Sequence, residues 1–236
     1  MLDKWKERWT VRKFDSSAIP AEEDINNLYE MIQYIPSQLG QVDHIWCLLN
    51  PDDQLLKDWL VENIYYTDDA YQGHNEYFTA LRDAPYMFTS FKVLVPPNLV
   101  DILTEEQRGY IKIPKDNETI RNNAFHAGIL VSQSLQCGYN ACQIACVDGW
   151  RIKQENNKSY EYADRLWERF GAELEKVNVT FNNQTFYFEK NYIGRPLMSV
   201  GVGKGIKPTK QSFSPYKDGV TFTGQKPKKW FNNAVR

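Results

Sequence analysis

Apolar residues recur along this chain with two distinct periods. Ile25, Leu28, Tyr29, Ile32 and Ile35 stand three or four positions apart between Pro20 and Pro36. That spacing predicts an amphipathic helix, and Glu22, Glu23 and Asp24 load its first turn with the charge that the helix dipole favours. His44–Leu49 is a short apolar run that reads as a buried strand, closed by the turn residues Asn50-Pro51-Asp52. Leu55, Leu56, Trp59 and Leu60 predict a second helix, and residues 75–81 a third. Between them, residues 65–74 are polar and aromatic without a period and read as a loop. Residues 86–94 are rich in aromatic and β-branched residues and predict a central strand, stopped by Pro96 and Pro97.

The longest helix opens near Asp116 and closes at Gly138, a residue suited to the left-handed cap. Its interior, Ile120 through Leu135, is rich in alanine and short of charge, as expected of a helix buried on most sides. Residues 141–147 follow as a short apolar segment. A further helix over residues 159–177 carries Leu166, Trp167, Phe170 and Leu174 on one side. Two alternating runs, 177–181 and 186–188, flank Asn182-Asn183-Gln184-Thr185 and read as a hairpin. Leu197–Val202 is the last predicted strand, followed by Gly203-Lys204-Gly205. The tail from about residue 208 is polar and basic. Strands mixed with long helices give an α/β or α+β class in a single domain over 1–236.

Composition narrows the class of partner. The chain has 236 residues, 42% hydrophobic and 25% charged, with a net charge of -2. Such a balance points away from nucleic acid, and no apolar run is long enough to span a bilayer. The first residues lack the apolar core of a signal peptide, so a cytoplasmic protein is expected. Three of the four cysteines, Cys137, Cys142 and Cys146, fall within ten residues. Their spacing does not make the paired ligand pattern of structural zinc, so free buried thiols and no metal are expected, as for Cys47.

One short run carries candidate chemistry. Arg8-Trp9-Thr10-Val11-Arg12-Lys13-Phe14 gathers three cations and a hydroxyl just ahead of the first helix. Guanidinium groups offer paired donors to phosphate oxygens, and a hydroxyl adds a neutral donor. The plainer reading is a solvated basic stretch. No nucleophile–base constellation stands out, because the three histidines, His44, His74 and His126, are isolated in the sequence. His44 and His126 read as structural rather than as proton donors.

With Phe14-Asp15 behind the basic run, and the segment from Ala124 to Cys146, the chain resembles the FMN-dependent nitroreductase family over roughly residues 5 to 210. The resemblance implies a nitroreductase-like α/β (α+β) fold, with a central mixed sheet flanked by helices around a long buried helix, in an entwined homodimer. It implies FMN as cofactor, NAD(P)H as co-substrate and a small electron-poor acceptor, such as a nitroaromatic or quinone, reduced in ping-pong fashion. No protein side chain is then needed as a catalyst, since flavin carries the hydride. Arg8, Thr10 and Arg12 match the residues that grip the FMN phosphate and ribityl chain, with Trp9 where the family has a smaller or polar residue. Pro36, Ser37, Gln38 and Gly40 match the motif that a second subunit lends to the flavin. Asn75 and Asn122 match polar residues beside the ring, and Gln143, Ile144, Ala145 and Cys146 the loop beneath it. Lys204, assisted by Lys207, matches the cation after the last strand.

The chain departs from the family where its second motif serine and its asparagine become Gln38 and Gly40. The Gln-Pro-Trp triplet becomes Val42-Asp43-His44. The hairpin at 177–188 reads as an insertion. An alternative is therefore a fold relative, with or without flavin, that serves flavin fragmentation, dehalogenation, storage or interaction.

Overall fold

The computed structural model of the chain describes residues 4, 11, 13–35, 44–62, 75–94, 104–105, 116–145, 158–181 and 183–207. The chain divides into two units, Met1–Ile206 and Lys207–Arg236. Of the second, only Lys207 is among the described residues.

Helix α1 spans Glu22–Tyr34. Its capping residue, Ala21, has no side chain able to satisfy the first amides. Tyr139 takes over: the Ala21 amide donates to its hydroxyl at 3.1 Å, and the hydroxyl donates to Asp24 Oδ2 at 2.6 Å. Strand β1, His44–Leu49, runs into a 3-10 turn at Pro51–Asp53 and helix α2, Gln54–Leu60. Asn50 and Asp53 form a reciprocal capping box there. Helix α3 is Asn75–Arg82 and strand β2 is Tyr86–Val93. Helix α4, Asp116–Gln136, ends at Gly138 with φ 85°. The amides of Gly138 and Tyr139 return to the carbonyls of Leu135 and Ser134, a complete Schellman cap. Strand β3, Asn140–Ala145, therefore folds straight back along α4. Helix α5 is Lys158–Leu174, the hairpin strands β4 and β5 are Asn178–Phe181 and Gln184–Tyr187, and β6 is Ile193–Gly203.

The main sheet has the order β1-β2-β6-β3, and its pairings are antiparallel throughout. Alternation along each strand sends side chains to opposite faces. On one face, Trp46, Phe88, Val200 and Val202 meet Ile25, Leu28 and Ile32 of α1 and Ala127 and Leu130 of α4. On the other, Cys47, Leu49, Met87 and Phe91 meet Leu60 of α2 and Leu166 and Phe170 of α5. Helices thus cover both faces of the sheet.

Two elements differ from their sequence reading. Strand β6 begins four residues ahead of Leu197 and so contains Pro196, which lacks the amide that a central strand needs. The β2–β6 register slips between Ser90 and Phe91 and again between Phe91 and Val93, on either side of the Phe91–Pro196 pair. Pro196 therefore sits where the ladder is already interrupted. The hairpin is also tighter than its sequence suggests. Phe181 pairs with Gln184, so Gln184 and Thr185 are strand rather than turn. Asn183 reverses the chain at φ 61°, a left-handed conformation that asparagine tolerates.

Candidate functional site

The end of β6 reads Gly201-Val202-Gly203-Lys204-Gly205, with glycine at every second position. In an extended chain those three residues share one face, and there the sheet has no side chains. Other parts of the chain press into the gap. A Cβ on Gly201 would lie 2.7 Å from Ala84 Cβ, and one on Gly203 would lie 2.7 Å from Pro85 Cδ and 2.9 Å from Phe14 Cδ1. A Cβ on Gly205 would meet Val11 Cγ2 at 3.0 Å. The glycines thus form a notch that admits Phe14, Val11 and the Ala84–Pro85 link between α3 and β2.

Backbone bonds lock the N-terminal arm into this notch. Asp15 N donates to Lys204 O at 2.8 Å, Ile206 N donates to Lys13 O at 2.8 Å, and Phe14 bridges to Gly205. Asn140 Oδ1 accepts from Gly205 N at 3.0 Å and fixes the turn that follows the strand. Val11 and Phe14 are buried with Ala80 of α3, Ala84 of the link and Cys142 of β3, and Ile144 packs against them. Lys13 and Lys204 stay exposed beside this joint. Beyond Phe14, Asp15 Oδ1 accepts from the amide and hydroxyl of Ser17, and those bonds hold its carboxyl below the usual carboxylate range.

Lys57 of α2 meets the same link from behind. It is 1% exposed, and its Nζ donates to the carbonyls of Ala84 at 3.1 Å and Pro85 at 3.2 Å. Burial lowers its pKa, against the opposing pull of Asp53, Asp58 and Asp83.

A second polar group lies across the sheet. Thr119, Asn122, Asn123 and His126 stand on one side of α4, and all are buried. Asn123 Nδ2 donates to Ser90 Oγ at 2.8 Å, and Ser90 Oγ donates to Met198 O at 3.0 Å. Gln143 Nε2 reaches Met198 Sδ at 3.1 Å. His126 Nδ1 and His44 Nε2 lie 3.2 Å apart in a buried hydrogen bond, one imidazole donating to the other. Both rings are buried. Among the described residues, no three or more His, Cys, Asp and Glu side chains gather to hold a metal ion, and no helix is long and apolar enough to cross a membrane.

The residues singled out by sequence fall into several sets, and Ala145 is the last residue of β3, paired with Met198. Arg8, Trp9, Thr10, Arg12, Pro36, Ser37, Gln38, Gly40 and Cys146 lie outside the described residues. Lys204 and Ile144, with the helix that Asn75 opens, belong to elements that meet at the notch. Asn122 and Gln143 stand on the α4 side of the sheet, away from Val11 and Phe14. Lys207 follows Ile206 in the second unit. Sequence reasoning passed over Lys57, Asn140, Asn123 and Ser90. Glycine at alternate positions 201, 203 and 205 was the available signal for the notch, since a strand seldom spends three glycines on one face unless something approaches it closely.

No known protein-family model matches this sequence, and no curated protein matches it either. Solved structures do. A BluB-like flavoprotein from Clostridium difficile 630 superposes with a TM-score of 0.52 at 17% identity, covering 94% of this chain and 98% of that one. A nitroreductase with bound FMN from Bacteroides fragilis NCTC 9343 gives 0.52 at 14% identity, covering 95% and 98%. A putative nitroreductase in complex with FMN from Exiguobacterium sibiricum 255-15 gives 0.52 at 15%, covering 94% and 96%. The chain has the nitroreductase fold. Within that fold, the glycine notch and the arm docked in it are built from this chain's own residues. The notch itself is filled by Phe14, Val11, Ala84 and Pro85; what suits an anionic group is the donor chemistry of the exposed Lys13 and Lys204 beside it.

Proposed function

We propose that the protein is an FMN-dependent oxidoreductase that uses NAD(P)H to reduce small electron-poor molecules such as nitroaromatics or quinones. The observation that carries this reading is the docking of residues 13–15 against residues 204–206. Two segments that are distant in sequence, each bearing cations, share one backbone joint. Arg8, Thr10, Arg12 and Lys204 hold the phosphate and ribityl chain, and Trp9 lies among them. A phosphate tail carries a charge of about -2, which a cation cluster offsets. Backbone amides at Gln143, Ile144, Ala145 and Cys146 support the ring, and Asn75 and Asn122 meet its polar edge. Pro36, Ser37, Gln38 and Gly40 come from a second copy in a homodimer, and the dimer works in the cytoplasm. FMN, when bound, supplies reversible hydride transfer. The protein's own part is to bind, to orient and to exclude water.

A second reading keeps the fold without the reductase activity, as in flavin fragmentation, dehalogenation, storage or interaction. One observation favours it. His44 stands where the family's motif has its tryptophan, and it is committed to the core against His126. The visible spectrum of the purified protein, before and after incubation with FMN, separates flavin binding from its absence. NADPH oxidation with nitrofurazone or menadione then separates reductase from other roles. Arg8→Ala and Arg12→Ala each weaken FMN binding by about 10- to 100-fold, since a hydrogen bond to a charged group contributes about 1.5–3 kcal/mol. Unchanged affinity in both variants removes the phosphate assignment.

A further inference from the structure

We propose that Lys57 is a positioning residue for the anion-binding arm: its ammonium fixes the Ala84–Pro85 link, the link and Phe14 share the glycine notch, and Phe14 sets where Lys13 lies beside Lys204. The inference rests on the reading of that arm as the phosphate grip.

A lysine 1% exposed needs a reason, because burying a charge costs free energy that an apolar residue in α2 would not incur. Its two bonds go to Ala84 and Pro85, just past the last turn of α3, where carbonyls have no helical partner and the helix dipole favours a cation. The link cannot drift without consequence. Ala84 and Pro85 lie at 2.7 Å from the Cβ positions of Gly201 and Gly203, so they are pressed against the β6 backbone. Phe14 occupies the same notch, at 2.9 Å from the Gly203 position and 3.7 Å from that of Gly201. Two rigid groups share one space, and a shift of one moves the other. The Ile206–Lys13 and Asp15–Lys204 backbone bonds then carry the position of Phe14 into the arm and into Lys204.

A purely structural lysine would lower the stability of the whole domain without singling out the arm. Trypsin tells the two apart in the full-length protein. Cleavage after Lys13 requires the Lys13 carbonyl to leave Ile206, although the Lys13 side chain is exposed. Cleavage after Arg165, within α5, reports opening elsewhere. In Lys57→Met, cleavage after Lys13 accelerates about tenfold relative to cleavage after Arg165, as expected of local opening. Lys57→Gln, which keeps a donor, shows a smaller rise in the same ratio and serves if the methionine variant fails to fold. Equal changes at both sites overturn the proposal. The second readout compares FMN with riboflavin, which lacks the phosphate: Lys57→Met loses about tenfold in FMN affinity and none for riboflavin. An unchanged preference for FMN, alongside faster cleavage after Lys13, also overturns it. If the wild-type protein does not prefer FMN at all, the phosphate assignment falls, and the protease ratio still decides whether Lys57 holds the arm.

Discussion

The notch predicts that one substitution, glycine to alanine, has opposite signs at two sites. At Gly203 an added Cβ meets Pro85 Cδ at 2.7 Å and Phe14 Cδ1 at 2.9 Å. Neither neighbour is the far end of a flexible chain: one is a proline ring, the other a phenylalanine 4% exposed. Removing a strand glycine would by itself gain about 0.5–1 kcal/mol through the unfolded state. Forcing a methyl group into a filled core costs about 1–3 kcal/mol. Contacts below 3.0 Å on two sides put Gly203→Ala in the upper part of that range, for a net loss of about 1–2 kcal/mol. Gly128, in the interior of α4, has nothing within 4 Å of its Cβ position. There the helix preference acts alone, and Gly128→Ala gains about 1 kcal/mol. For a chain of this size each kcal/mol moves Tm by about 2–4 °C. Urea unfolding at one protein concentration measures both variants, with m unchanged. A Gly203→Ala protein as stable as the wild type would refute the tight notch, and with it the seating of Phe14.

Other consequences follow from buried titratable groups. Burial pushes the Cys47 thiol up from 9.0 to about 12, so its contribution is fully present below pH 9 and is lost as pH rises through about 12. Alkaline unfolding should therefore coincide with reaction of Cys47 toward a thiol reagent, whereas exposed Cys137 reacts in the native state; early labelling of Cys47 would contradict its burial. Tyr139→Phe removes the bonds to Asp24 and to the Ala21 amide and should cost about 1–2 kcal/mol in urea unfolding, since each net bond contributes about 1 kcal/mol. No change would mean that water caps α1 equally well.

Most elements were legible because their patterns obey local rules. The α1 stripe, the Gly138 stop and the β1 and β2 runs each follow from periodicity and turn chemistry, and the structure places them within a residue or two. The start of β6 was hidden because Pro196 argues against a central strand unless the ladder is known to slip there. The hairpin turn was misjudged by two residues because Gln184 and Thr185 are polar and their pairing partner is set by the backbone. The site was harder. Basic residues near both ends of the matched region are visible in the sequence, but the joint that brings their segments together consists of backbone bonds and absent side chains. Lys57 sits in an ordinary amphipathic run, and only the geometry shows it turned inward to two carbonyls.

This distribution of information bears on how the fold persists at 14–17% identity to its structural neighbours. A joint made by the Asp15–Lys204 and Ile206–Lys13 backbone bonds asks little of residue type: glycines where the chain must approach and one aromatic ring to fill the notch. Substrate contacts ask far more, because they depend on particular side chains. His44 illustrates the difference. With its imidazole bonded to His126 beneath α4, it cannot also serve as an outward-facing wall. Under the proposed flavin reading, a pocket beside the ring would be shaped by other residues than the tryptophan of the motif that the sequence resembles. Acceptors should accordingly be assayed across a range of sizes and ring numbers, because a single nitroaromatic probe tests the familiar pocket rather than this one.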